Sequence, residues 1–152
     1  MENNLNIDLR LAELKDKKKL FEFFNNLDSL LFKIKTNKKI SFTEHEKWFE
    51  SKLVDKNTYI WLIENNHTIP IGQIRFEYSK LNFYDVDIYI IENYRQLGAA
   101  SQALQIAEGF FKLRPLRAIV KKNNNSSRLF FLKNNFSLYS ENKDSWTLIK
   151  NT

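Results

Sequence analysis

Apolar and polar residues alternate through 85–90, where Asp85, Asp87 and Tyr89 interleave with Val86, Ile88 and Ile90. A period of two marks a strand with two unlike faces. The turn Arg95-Gln96-Leu97-Gly98-Ala99-Ala100 follows, and there the period changes. Leu104, Ala107 and Phe111 recur at helical spacing, with Ala100, Ala103 and Phe110 widening the apolar stripe. Strand, tight turn and amphipathic helix are the centre of the pattern.

The same periodicities order the rest of the chain. Residues 9–14 alternate as a first strand. Asp16 stands where an N-cap would, ahead of a stripe of Leu20, Phe21, Phe24 and Leu27. Residues 30–39 read as loop with partial helix. Thr43-x-x-Glu46 has the form of a capping box, opening a helix with His45, Trp48, Phe49 and Leu53 on one side. Strands are expected at 59–64 and 68–78 around an Asn65-Asn66 turn, and a link at 79–82 continues the meander into 85–90. Pro70 falls near a strand start, where a missing donor is tolerated. Arg114-Pro115 stops the long helix, and a fifth strand runs through 116–121. A short helix at 126–133 and strands near 136–139 and 146–149 complete the reading. It predicts one mixed domain of α+β type over residues 1–152, with a largely antiparallel sheet of about six or seven strands and about four helices.

Composition narrows what such a domain could do. The 152 residues, 43% hydrophobic and 14% aromatic, suffice for a folded core. With no cysteine and only His45 and His67, neither a disulfide framework nor a zinc site is expected. No apolar run approaches a membrane span, and the polar MENNLNIDLR start has no signal-like core, so the expected place is the cytoplasm. The net charge of +6 fits a solvated basic surface in a Lys- and Asn-rich chain, and would also suit an anionic ligand. Its lysines are scattered and no nucleic-acid-binding signature accompanies them, which disfavours DNA or RNA as partner.

The turn at 95–101 has the chemistry of an anion site. A helix start leaves N–H groups without intrahelical acceptors and carries partial positive charge. Gly98, Ala99 and Ala100 keep side chains small, so a ligand could approach the backbone, and Arg95 adds a cation. On spacing alone, close packing would explain the small residues equally well. Arg95-x-x-Gly98-x-Ala100 resembles the (Gln/Arg)-x-x-Gly-x-(Gly/Ala) signature of the GCN5-related N-acetyltransferases, the GNAT superfamily. Downstream, Asn124, Ser127, Lys133 and Phe136 match that family's N-x-x-(A/S)-x-x-(L/F)-Y-x-K-x-G-F segment.

The resemblance implies acetyl-CoA as acyl donor. It implies that the amides of Arg95, Gln96, Leu97, Gly98, Ala99, Ala100 and Ser101 hold the pyrophosphate. It further implies that the backbone of Ile88, Tyr89 and Ile90 binds the pantetheine arm and carbonyl, with Asn124 facing the cofactor. Two positions depart from the pattern. Phe131 stands where many members carry a Tyr that protonates the leaving thiolate, so that role is lost. Asn135 replaces a Gly, a milder change because Asn tolerates left-handed backbone.

Acetyl transfer also needs a route for the amine's proton. Candidates for the base are Asp87 and Asp85, which share a strand face, and His45, with Glu77 behind them. Each has a plain structural alternative: solvated strand residues for the carboxylates, a helix-surface position for His45. Tyr89 and Tyr94 are neighbours that could serve as acid. Ile40, Ser41, His45, Trp48 and Phe49 are similar to an I-(S/T)-x-x-x-H-x-x-W-F pattern of bacterial surface-sugar acetyltransferases, and Ile71-Gly72-Gln73-Ile74-Arg75-Phe76 to their I-G-x-(V/I)-R-F strand. That resemblance implies the 4-amino group of a nucleotide-linked sugar as acceptor. A protein N-terminus, as for ribosomal-protein acetyltransferases, is the rival acceptor, and a non-catalytic acyl-CoA-binding module is the rival from another class. A homodimer is compatible with all three.

Overall fold

The computed structural model describes residues 5–26, 39–110 and 115–151. Seven strands form one sheet in the order β1-β2-β3-β4-β5-β7-β6. In chain order the elements are β1 (Ile7–Leu11), α1 (Lys17–Phe24), α2 (Phe42–Leu53), β2 (Thr58–Asn65), β3 (Pro70–Tyr78), β4 (Tyr84–Ile90), α3 (Ala99–Phe110), β5 (Leu116–Lys121), α4 (Asn125–Lys133), β6 (Ser137–Glu141) and β7 (Ser145–Lys150). Short 3-10 turns precede α1 and follow β4. Every strand pair is antiparallel except β4 with β5. Among the described residues no helix is long and apolar enough to cross a membrane.

Period-two sequences produce two cores, one on each face of the sheet. Trp61, Ile63, Ile74, Phe76, Val86, Ile90, Ala118 and Val120 point to one side, where Ala99, Ala103, Leu104 and Ala107 of α3 and Phe131 of α4 cover them. Ile60 and Leu62 point to the other, under Leu20, Phe23 and Phe24 of α1 and Phe49 of α2. Leu20, Phe49 and Leu62 are fully enclosed, and each such side chain contributes about 1.5–3 kcal/mol by leaving water.

Several boundaries differ from the sequence expectation. β1 ends at Leu11, and Leu14 belongs to the following 3-10 turn. Asp16 precedes α1, but its carboxylate does not cap the helix. It accepts two hydrogen bonds of 2.9 Å from Arg10 and one of 2.8 Å from the Glu13 N–H, which pins the chain where it leaves the sheet. The capping box of α2 is Ser41 with Glu44, two residues upstream of the pair expected. Glu46 instead meets Lys17 at 2.8 Å, joining α2 to α1. The β2–β3 turn begins one residue later than expected, because Asn65 still belongs to β2. Its side-chain oxygen accepts from His67 N and Ile69 N and shapes that turn. Phe110, expected in the apolar stripe of α3, is 68% exposed, although its ring stacks on Trp61. Leu27, Phe111, Arg114 and nearly all of 30–39 lie outside the described residues.

The Arg10–Asp16 pair makes acid stability measurable at one site. Burial pushes the Asp16 carboxyl upward, but hydrogen bonds from Arg10 and Glu13 and the charge of Arg10 outweigh it, so its pKa lies below the usual 3.8. A carboxylate held low in the folded state stabilises it above the unfolded value, and that contribution fades as pH falls through the folded value. Asp16→Asn is expected to cost about 1.5–3 kcal/mol at neutral pH. The gap should close below about pH 3.8, as thermal melts across pH will show.

Candidate active site

The sheet opens at its centre. β4 pairs with β3 along its whole length, from Gly72–Ile90 to Tyr78–Tyr84. Its parallel ladder with β5 consists of only two pairs, Tyr84–Leu116 and Asp85–Arg117. Beyond Asp85 the two strands part, and the backbone of residues 87–90 borders the gap on its β5 side. The bidentate Asp85–Arg117 ion pair, at 2.5 and 2.9 Å, sits where the gap begins, with the guanidinium over the Phe83 ring.

After β4, Glu92–Tyr94 makes a 3-10 turn and the chain enters α3 through Gln96 and Gly98, both with positive φ, 61° and 82°. Gly98 supplies the left-handed turn without strain. A Cβ placed there would meet nothing closer than the Gln102 side-chain amide at 3.9 Å, so the space above the loop is open. The first helical N–H groups of α3, from Ala99 through Ser101, border that space, and a helix start favours an anion. Arg95 does not extend freely toward it: Nε donates to the Ile90 carbonyl at 2.7 Å and the guanidinium lies over the Tyr89 ring. It braces the loop against the end of β4. Behind the loop, buried Asn134 donates to Ser101 Oγ at 3.2 Å and to the Phe130 carbonyl, tying the start of α3 to the end of α4.

The downstream motif folds as a helix and its exit. Asn124 caps α4, its side-chain oxygen accepting from Ser127 N at 3.1 Å, so that oxygen is engaged within the chain. Asn135 adopts φ 70°, the left-handed backbone expected where the family has Gly. Phe131 is buried against Phe130 and Phe136 and brings no polar atom to the site.

On the α1/α2 face, Gln73, Arg75 and Glu77 of β3 stand opposite Tyr89, Asp87 and Asp85 of β4. Asp85 is committed to Arg117. The more exposed Asp87 accepts a 2.8 Å hydrogen bond from Gln73 Nε2 and lies 3.9 Å from Arg75. The Arg75 guanidinium covers Trp48 and Phe24, and Glu77 pairs with Lys52 at 2.6 Å. Tyr89 packs on Phe23, and the Tyr94 hydroxyl meets the Asn65 side-chain amide. His45 is fully enclosed rather than on the helix surface. Its ring sits among Phe21, Phe24, Trp48 and Phe49, and Nε2 contacts the Lys17 carbonyl at 3.0 Å, so it fastens α2 to α1. A separate cleft of about 380 Å³ between the end of α2 and the start of β2, lined in part by Leu11, Lys52, Lys56 and Tyr59, contains none of these candidates.

Sequence reasoning singled out Asp87 but missed Gln73, Arg75 as its neighbour, and Asn134. An amide between Gly72 and Ile74, on a strand where Ile71, Ile74 and Phe76 are apolar, was the available signal for Gln73.

A sheet that parts at its middle, with a left-handed glycine turn feeding a helix start, is a frame that can seat an anionic ligand against main chain. The chain belongs to the acetyltransferase (GNAT) domain family, whose pattern matches residues 6–137. It is 28% identical over 129 residues to acetyltransferase PseH of Campylobacter jejuni, covering 84% of this chain and 80% of that protein. In fold it is similar to spermidine N-acetyltransferase from Vibrio cholerae, solved with CoA and spermine, at TM-score 0.84 and 16% identity over 95% of each chain. It is similar as well to a putative phosphinothricin N-acetyltransferase, at TM-score 0.79 and 21% identity over 96% of this chain and 98% of that one. The protein is therefore an acetyl-CoA-dependent N-acetyltransferase, and the reading as a non-catalytic module falls away. Open space over Gly98 and the backbone bordering the β4–β5 gap are the features of this chain that fit acetyl-CoA.

Proposed function

We propose that the acceptor is a small anionic amine, the 4-amino group of a nucleotide-linked amino sugar, and that Asp87 takes the proton this amine sheds. The observation that carries the acceptor class is charge pairing on the α1/α2 face. Asp85 is matched by Arg117, Asp87 by Gln73 and Arg75, Glu77 by Lys52, and Glu46 and Glu50 by Lys17. A polycation such as spermidine would have to compete with these cations for their carboxylates. A nucleotide sugar brings negative phosphates, which suit a chain of net charge +6. In sequence, the stretch 27–38 between α1 and α2 adds Lys33, Lys35 and Lys38 against Asp28 alone. The likeness to acetyltransferase PseH agrees with this reading.

Acetyl-CoA supplies an activated thioester. Proton removal falls to Asp87, which is more exposed than Asp85 and not locked in a bidentate pair. The amides of 96–101 would hold the pyrophosphate, and the backbone of Ile88, Tyr89 and Ile90 the pantetheine arm. With Phe131 apolar, no side chain at that position protonates the thiolate, and water takes the role. The chain works as one domain, and it acts in the cytoplasm.

Thiol release from acetyl-CoA should be measured with a UDP-4-amino-4,6-dideoxy sugar, with spermidine and with a peptide N-terminus. Turnover is expected with the sugar and not with the other two; turnover confined to spermidine or the peptide would overturn the acceptor assignment. Asp87→Asn should lower kcat by about 10²–10⁴-fold while acetyl-CoA affinity is kept.

A further inference from the structure

Gln73 is the polar side chain that packing alone would not choose. It is fully buried in β3, flanked by Gly72 and Ile74, which are themselves buried. Its Nε2 donates to Asp87 Oδ2 at 2.8 Å, whereas among the described residues no donor reaches its buried Oε1. The amide orientation follows from chemistry: an ionised carboxylate only accepts, so the NH₂ end must face Asp87 and the carbonyl must face away. A buried carbonyl left without a donor destabilises the fold, and Leu or Met at this position would avoid that. The residue's use therefore lies at its other end.

We infer that Gln73 is a positioning residue for acetyl transfer, fixing the Asp87 carboxylate toward the acceptor amine from beneath the site. The inference rests on the proposed role of Asp87. Cross-strand geometry supports it. Gln73 pairs with Tyr89 and reaches diagonally to Asp87, while Arg75, directly opposite Asp87, is 3.9 Å away. Asp87 thus has one short, directional bond, from a side chain with no freedom to move, and one looser cation beside it. Such a bond fixes a carboxylate in one rotamer, which is what a base needs to meet its proton.

A four-protein cycle tests this: wild type, Gln73→Met, Asp87→Asn and the double variant. Turnover is measured at saturating acetyl-CoA with the UDP-4-amino-4,6-dideoxy sugar, or with spermidine or the peptide if one of those proves to be the amine acetylated. Gln73→Met is expected to lower kcat about ten- to hundred-fold, the range a hydrogen bond to a charged group is worth, with KM for acetyl-CoA unchanged. Its melting temperature should be equal to or above that of wild type, because the buried carbonyl is gone; a merely structural residue would lower it. In the Asp87→Asn background the same substitution should change kcat by less than about twofold, because the two act as a unit. Gln73→Leu repeats the measurement should the Met variant not fold. Wild-type kcat in the apolar variants, or losses that multiply in the double variant, would overturn the inference while leaving Asp87 in place. A fully active Asp87→Asn protein would remove the role of Asp87 itself, and the inference with it.

Discussion

Gly72→Ala is expected to disable the enzyme through its backbone. A Cβ at Gly72 would lie 2.0 Å from the Tyr89 carbonyl oxygen, a separation no relaxed structure holds, with Ile90 Cα at 3.1 Å behind it. The atoms in the way are main chain of β4, so no rotamer change relieves the clash. Either β3 and β4 separate, losing ladder bonds around the Gly72–Ile90 pair, or β4 shifts toward the gap on its other side. The first route costs at least the roughly 1–3 kcal/mol of an overpacked core. The second displaces residues 88–90, which border the site. Denaturant melts should show a loss of about 3 kcal/mol or more. In any protein that remains folded, acetyl-CoA affinity should fall as well. A Gly72→Ala protein with wild-type stability and turnover would refute the argument.

Gly98→Val is expected to abolish acetyl-CoA binding with a smaller effect on stability. The position has φ 82°, which a β-branched residue adopts only under strain of about 1–3 kcal/mol. Open space around the built Cβ means that the side chain itself meets little protein, so the fold should still melt cooperatively. What it would fill is the volume over the α3 N-terminus. Isothermal titration separates the outcomes: cooperative melting without acetyl-CoA binding supports a phosphate loop, and retained binding removes it. The two glycines thus make opposite predictions about which property fails first.

Much of the fold could be read from the sequence because a strand with unlike faces writes its period directly into the chain. The alternation at 85–90 gave β4 and its two faces, and the change of period after Gly98 gave α3. Element ends were less legible where two signals competed. Ser41-x-x-Glu44 and Thr43-x-x-Glu46 are both capping boxes on paper, and the choice was made by a tertiary contact, Glu46 with Lys17. Asp16 was drawn from its cap by Arg10 in the same way.

The candidate site was legible only where it is local. The loop at 95–101 is contiguous, so its motif carried it. Gln73 and Asp87 are 14 positions apart and meet only through the β3–β4 register. The packing of α2 against α1 likewise encloses His45, whose neighbours come from both helices and are not visible from its own helix alone. The parting of β4 from β5 leaves no sequence signature at all, being a ladder that stops.

That interrupted ladder has a consequence for how such an enzyme can change. On the proposed reading, the donor side of the gap is drawn from main chain and from a helix start, and it depends on few side chains provided that Gly98 keeps the loop open. The acceptor side, on that same proposal, is drawn from side chains on β3, β4, α1 and α2, such as Arg75, Asp87, Phe24 and Trp48, which contact one another. Substitutions there can retune which amine is taken without touching what holds the thioester. Selectivity and donor affinity are therefore separable traits in this scaffold, and a library confined to the α1/α2 face should yield new acceptors at constant acetyl-CoA affinity.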